Sequence, residues 1–226
     1  MPKVYSDLST SKILTMEWVT GARLSDGEAI KKMNLKGERF VDILVQCSIR
    51  QMLENGFFHA DPHGGNLLAM ESGKLCFLDF GMVSYVEAPQ RYSIIEAVVH
   101  LVNRDFRALA ELYRRMGFIP LDVDLEPLVL ALDKALPDVL NAPVGELNIK
   151  NIIGKLGDVM FKFPFSLPPY YIAIIRCLGV LEGVALQVDE DFRILDDAYP
   201  YIASRLLTDP SEELQAALQQ LLFQVS

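Results

Sequence analysis

Three residues with oxygen-bearing side chains occur at spacings suited to metal-assisted chemistry: Asp61, Asn66 and Asp79. Asp61 and Asn66 lie in the polar stretch 58–66, and Asp79 opens an Asp-Phe-Gly triplet. Hard cations such as Mg²⁺ bind oxygen ligands, and a phosphoryl group in transfer carries charge that positioned Mg²⁺ ions neutralise. We therefore expect Asn66 and Asp79 to hold metal, and Asp61 to accept or orient a hydroxyl proton.

The order of these residues is that of a nucleotide-dependent phosphoryl-transfer site. An acid and a following asparagine at this spacing form the catalytic loop of protein kinases, and the Asp of a DFG turn supplies a second metal-binding oxygen. Either motif alone is common by chance, but both occur here in the required order. Four neighbouring residues are expected to support the site: His59, His63, Phe80 and Gly81.

The elements that position these residues are predicted to form a β-hairpin. Residues 67–70 and 75–78 are short apolar runs separated by the polar turn 71–74, which contains Ser-Gly. Asn66 opens the first strand and Asp79 follows the second. Because an antiparallel pair places the start of one strand beside the end of its partner, both predicted metal ligands should meet at one edge.

A different enzyme class remains open on the same residues. His59, Asp61 and His63 alternate as the ligands of a hydrolase metal centre could. The remaining histidine, His100, falls in an apolar helical run, and the three cysteines are scattered along the chain. No second ligand set is therefore evident in the sequence.

Composition excludes some partners and favours a globular core. The 226 residues are 51% hydrophobic, which is ample for one large or two small domains. A net charge of −9 argues against a nucleic-acid partner, because phosphate backbones select basic surfaces.

The cysteines lack the spacing of a disulfide framework, which favours a reducing compartment. The apolar segment 167–188 is interrupted by Arg176 and Glu182, so we expect a buried helix rather than a transmembrane helix. No targeting peptide is recognised at the amino terminus.

Periodicity predicts an α+β fold that is predominantly helical. Residues 1–20 read as strands, whereas one helix presents an apolar face and ends at Asn55-Gly56, a capping signal. That face consists of Val41, Leu44, Val45, Ser48 and Met52. Everything after Gly81 reads as helical, including segments 95–102, 106–116, 125–136, 148–160 and 168–188 and a last helix capped by Asp209.

These motifs resemble the UbiB/AarF group of atypical, protein-kinase-like proteins. The resemblance rests on segments 59–63, 65–67 and 78–81, with support from 2–5, 14–18 and 181–185. It implies a kinase-like carboxy-terminal lobe over residues 21–226, preceded by hinge-proximal strands of the amino-terminal lobe over residues 1–20. It also implies Asp61 as the catalytic-loop acid, Asn66 and Asp79 as Mg²⁺ ligands, and an ATP adenine contact along the backbone of Met16, Glu17, Trp18 and Val19.

The sequence departs from the family pattern in two respects. Gly64 stands where the family more often has proline, and the freedom of two successive glycines is expected to loosen the loop. The phosphate loop, strand lysine and helix glutamate of the amino-terminal lobe are not recognised, so that lobe looks largely missing. We therefore expect a truncated form that binds Mg-ATP weakly by itself.

The resemblance further implies ATPase or phosphotransferase activity in support of prenylquinone metabolism. Its expected location is a plastid or a mitochondrion, where it would be a peripheral membrane protein with membrane lipid or pathway proteins as partners. A non-catalytic alternative also remains: a helical scaffold that binds a partner protein or membrane lipid through the aromatic segment 161–165.

Overall fold

Helices make up most of the fold in the computed structural model, which describes residues 1–136, 149–189 and 194–212, together with 192, 214, 215, 218 and 219. The helices are α1 Gly27–Lys32, α2 Gly37–Arg50, α3 Ala88–Val102, α4 Phe106–Arg115, α5 Glu126–Ala135, α6 Ile149–Met160, α7 Pro169–Ala185 and α8 Ile194–Thr208. The strands are β1 Ala22–Arg23, β2 Phe57–His59, β3 Leu67–Ala69, β4 Leu75–Phe77 and β5 Val83–Tyr85. The predicted α+β class with a helical majority is confirmed.

The strands form two small antiparallel sheets, ordered β1-β3-β4 and β2-β5. The predicted hairpin is confirmed, with Leu67 opposite Phe77 and Ala69 opposite Leu75. The expectation that everything after Gly81 is helical is wrong, because β5 pairs with β2. A strand of three residues is too short to display a periodicity in the sequence.

Residues 1–20 were predicted to form strands, but the structure shows only short stretches of strand-like pairing there. Their pairing is limited to two isolated bridges, Val4 with Met16 and Thr10 with Ile13, and a 3-10 turn occupies Ser6–Leu8. Most side chains in this segment are exposed, including Leu8, Ile13 and Leu14. A two-stranded ribbon that buries little apolar surface is marginal, which explains why the ladder stays short.

Helix α2 precedes the candidate site in the chain and leads into β2. Its predicted apolar face is buried, from Val41 to Met52. A π-helical turn, Gln51–Asn55, follows α2, and Gly56 caps that turn in the left-handed conformation with φ 68°. The capping signal is therefore confirmed, and β2 starts immediately after it.

The helices after β5 largely follow the predicted segments. Helix α8 lies in the region predicted as helical, where no bounds were given for it, and α1 was not predicted. Helix α1 has only six residues, and α8 contains Pro200, which in a sequence indicates a break. The Asp209 carboxylate accepts a hydrogen bond from the Ser211 amide at 3.0 Å, as expected for a cap. In the last predicted helix Leu214 is buried, whereas Leu221 and Leu222 lie outside the described residues.

The apolar segment 167–188 forms α7, which packs against α2, α6 and α8. Across the described ranges, no helix is both long and apolar enough to cross a membrane. The aromatic segment 161–165 is divided between solvent and core. Phe161 is 94% exposed, whereas Phe163 and Phe165 pack against the core and Phe165 meets Tyr113 edge-on.

Candidate active site

The strand pair β2-β5 joins the two ends of the segment that carries the predicted site. His59 lies opposite Val83, and the Ala60 amide donates to the Met82 carbonyl at 2.9 Å. The two ends of segment 60–82 therefore lie side by side, and this segment includes the predicted catalytic loop, the hairpin and the DFG turn. Sequence reasoning missed this closure.

The hairpin brings the predicted metal ligands to one edge. The Leu78 amide donates to the Asn66 carbonyl at 3.0 Å. Asp79 is the residue after Leu78, so it lies close to Asn66 across the hairpin. Asp79 is exposed, and its Oδ1 accepts the Gly81 amide at 2.8 Å, which shapes the DFG turn. One carboxamide and one carboxylate at the same end of the hairpin fit the oxygen-donor chemistry of Mg²⁺.

His59 connects the catalytic loop with the DFG turn. Its ring is buried, Nδ1 accepts the Asp61 amide at 3.1 Å, and Nε2 donates to the Asp79 carbonyl. These partners assign the proton to Nε2, because an amide needs an acceptor and a carbonyl needs a donor. The ring also lies 5.8 Å from the Phe80 ring, measured between centroids. The predicted supporting residues His59 and Phe80 are thus in contact with one another.

The alternative metal centre of the hydrolase kind does not fit this geometry. Both ring nitrogens of His59 are engaged with the backbone, which leaves neither for a metal. His63 is exposed, and its Nδ1 accepts the Gly65 amide at 3.2 Å. Among the described residues no group of three or more His, Cys, Asp or Glu side chains is arranged to hold an ion.

The catalytic loop is tightly wound rather than loose. The His63 amide donates to the Asp61 carbonyl at 2.8 Å, and the Asn66 amide donates to the His63 carbonyl at 2.9 Å. Gly64 is buried in the 3-10 turn Gly64–Asn66, and a Cβ there would lie 3.0 Å from the Ser25 nitrogen. The expectation that Gly64 loosens the loop is therefore wrong, since the glycine allows close packing against Ser25.

Two residues of α7 reach the catalytic loop, and sequence reasoning did not include them in the site. Nη2 of Arg176 lies 3.1 Å from Oδ2 of Asp61, and the Cys177 thiol donates to the His59 carbonyl at 3.3 Å. Burial, followed by the negative charge of Asp61, raises the pKa of Cys177 to about 12. The available signal was an arginine inside an apolar helix, because such a charge needs a partner.

The residues expected to contact adenine, 16–19, lie in the segment that precedes β1. The Glu17 amide donates to the Lys3 carbonyl at 2.8 Å, and the Glu17 carboxylate accepts the Lys3 amide at 3.0 Å. Met16 and Trp18 have exposed side chains, Trp18 to 90%, and Val19 is half-buried. The chain then enters β1, which pairs with β3, the strand that starts beside Asn66.

The fold and the loop arrangement are those of a kinase-like domain. The chain belongs to the family of ABC1 atypical kinase-like domains, whose model matches residues 1–113, and the UbiB/AarF resemblance is thereby confirmed. It is 50% identical over 223 residues to an uncharacterised protein of Synechocystis, covering 99% of this chain and 33% of that protein. It is equally 50% identical over 223 residues to the chloroplastic protein ACTIVITY OF BC1 COMPLEX KINASE 3 of Arabidopsis thaliana, covering 99% and 31%.

More distant similarity extends to two further bacterial proteins. A probable protein kinase UbiB of Photorhabdus laumondii is 26% identical over 206 residues, covering 89% of this chain and 38% of that protein. The fold also matches Rv3197 of Mycobacterium tuberculosis, solved with erythromycin, at a TM-score of 0.56 and 14% identity, covering 83% and 48%. The chain spans about a third of the length of the curated relatives named here.

Proposed function

We propose that this chain carries the Mg-nucleotide and catalytic elements of an atypical kinase-like phosphotransferase or ATPase. The supporting observation is the network in which His59 connects Asp61 to Asp79 while Leu78 bonds to Asn66. In this proposal residues 1–20 form the hinge-proximal strands and residues 21–226 the kinase-like carboxy-terminal lobe.

Each residue has a distinct role in the proposed chemistry. Asp61 orients the acceptor hydroxyl or water and takes its proton. Asn66 and Asp79 hold Mg²⁺, which when bound neutralises charge on the nucleotide phosphates. The backbone of residues 16–19 contacts the adenine. His59 keeps the acid and the metal-binding turn in register through its two backbone hydrogen bonds.

ATP turnover by the longest polypeptide that the gene encodes tests this proposal. Asp79→Asn and Asp61→Asn are each expected to lower kcat by about a hundredfold or more, since both act on the reacting groups. Asp122→Asn, which alters an exposed acid outside the candidate site, provides the matched control and should leave kcat unchanged. Equal turnover in Asp79→Asn and the parent protein would contradict the proposal.

That result would favour the second candidate, a non-catalytic scaffold. The observation behind it is Phe161, which is 94% exposed at the carboxy-terminal end of α6. An exposed aromatic residue of this kind suits a contact with a partner protein or membrane lipid. A scaffold has no need of Asp79, so its binding would survive Asp79→Asn and weaken in Phe161→Ser.

We further propose a plastid location and a role in prenylquinone metabolism. The location is supported by the chloroplastic Arabidopsis relative at 50% identity and by a second chloroplastic Arabidopsis relative, ACTIVITY OF BC1 COMPLEX KINASE 1, at 37%, whereas the metabolic role rests on the UbiB/AarF resemblance alone. Microscopy of the full gene product fused to a fluorescent protein checks the location. Prenylquinone levels in a strain carrying Asp79→Asn check the pathway.

A further inference from the structure

We propose that Arg176 is a positioning residue for Asp61, and that α7 anchors the catalytic loop through Arg176 and Cys177. This inference rests on the proposed function, because it assigns Arg176 a task only if Asp61 is the catalytic acid. It adds to the site a helix that lies outside residues 1–113, the segment matched by the family model.

The ion pair completes the fixation of Asp61. The backbone of Asp61 is held on both sides, because its amide donates to His59 and its carbonyl accepts the His63 amide. The carboxylate is the part that rotates freely in such a residue, since the terminal torsion of aspartate has a broad minimum. Arg176 binds Oδ2 at 3.1 Å and so leaves Oδ1 for the acceptor hydroxyl.

Partial burial of the Asp61 carboxylate distinguishes this pair from a fully exposed ion pair, although Arg176 is half-exposed. The Asp61 side chain is 20% exposed and that of Arg176 is 49% exposed. Charge-assisted hydrogen bonds strengthen where water is partly excluded, whereas fully exposed pairs contribute little. Arginine remains charged throughout the physiological pH range, so the restraint on the carboxylate is constant.

Cys177 provides the second attachment point on the same helix. Its side chain is fully buried, and its thiol donates to the His59 carbonyl at 3.3 Å. Consecutive helical residues point about 100° apart, so Arg176 and Cys177 hold the loop from two different directions. The loop backbone and the Asp61 carboxylate are thus both held by α7.

The test compares Arg176→Gln and Arg176→Lys in the longest polypeptide that the gene encodes. Arg176→Gln should lower kcat about tenfold to a hundredfold and change KM for Mg-ATP by less than about twofold, because Asp61 acts on the acceptor and not on nucleotide binding. Arg176→Lys keeps the charge and should recover part of the loss. Arg107→Gln, which removes an exposed ion pair with Glu126, is the matched control and should leave kcat unchanged.

The decisive readout is the effect of Arg176→Gln in an Asp61→Asn background. A residue that acts through Asp61 has no further effect once the acid is gone, so the double variant should match Asp61→Asn alone. An additional loss in the double variant would overturn the proposal, since Arg176 would then act on another group. Unchanged kcat in Arg176→Gln, with a large loss in Asp61→Asn, would overturn it and leave the proposed function intact.

Thermal unfolding separates positioning from folding. If Arg176→Gln does not fold, Arg176→Lys decides: the proposal expects a partial loss of kcat that is absent in an Asp61→Asn background, and a loss of equal size in both backgrounds would overturn it. Unchanged kcat in Asp61→Asn itself would overturn the proposed function, and this inference with it.

Discussion

The imidazole of His59 joins the backbone amide of Asp61 to the backbone carbonyl of Asp79. One buried side chain therefore spans the catalytic loop and the DFG turn, which lie on opposite sides of the hairpin in the sequence. The adjacent Cys177 thiol binds the His59 carbonyl, so the same residue also contacts α7.

Replacement of this ring by one of similar size tests the connection. His59→Phe retains the apolar packing but leaves the Asp61 amide and the Asp79 carbonyl without their side-chain partner. We expect the free energy of unfolding to fall by about 1–3 kcal/mol, the usual result of leaving buried polar groups unpaired. Urea denaturation measures the loss, and ATP turnover by the longest gene product should fall with it.

His63→Phe is the matched control for that substitution. His63 is exposed, and among the described residues its ring binds the nearby Gly65 amide alone, so its replacement should cost well under about 1 kcal/mol. Equal losses in the two variants would contradict a special role for His59.

A side chain at position 56 is disfavoured both by the left-handed backbone of Gly56 and by a close contact with Val86. The φ of Gly56 is 68°, and a Cβ there would lie 2.3 Å from the Val86 carbonyl oxygen. Gly56→Ala should lower the free energy of unfolding by more than about 2 kcal/mol, from left-handed strain together with displacement of β2 from Val86. Thermal and urea denaturation measure this loss.

Gly117 allows the two contributions to be separated. Its φ is 75°, but a Cβ at this position would meet no atom within 4 Å among the described residues, apart from its chain neighbours. Gly117→Ala should therefore cost only about 1 kcal/mol. A loss as large as that of Gly56→Ala would show that strain alone accounts for both.

Cys177 is expected to make the free energy of unfolding fall as the pH becomes alkaline. Burial and the Asp61 charge raise its pKa to about 12, whereas an unfolded cysteine titrates near about 8.5. Between these values the folded state binds more protons, so the thiol's contribution is complete below about pH 8.5 and is lost as pH rises towards 12. Urea denaturation should show stability falling by up to about 1.4 kcal/mol per pH unit from this group.

Cys177→Ala isolates that contribution. The variant should be about 1 kcal/mol less stable at neutral pH, through the lost thiol contact, yet decline less steeply above about pH 9. Parallel slopes for variant and parent between about pH 9 and 10 would show that Cys177 titrates normally in the folded state.

Local patterns predicted the hairpin and the helix before it. Apolar runs on either side of a Ser-Gly turn indicated β3 and β4, and Asn55-Gly56 indicated the end of the helical segment, because both signals lie within a few residues. The pairing of β2 with β5 was not predictable in this way. It joins short strands separated by the whole loop and hairpin, and Val83–Tyr85 has too few residues to show alternation. Helix α8 lies in the region predicted as helical, but its bounds were not predictable because Pro200 lies inside it.

Residue type and spacing alone were sufficient to nominate Asp61, Asn66 and Asp79, because oxygen ligands and a proton acceptor leave a recognisable order in the chain. Only the tertiary structure decided that Arg176 and Cys177 serve the same loop. Cys177 and His59 are 118 positions apart, and nothing in either local sequence specifies the other. Their contact depends on how α7 packs against the rest of the core, and that packing is a property of the whole chain.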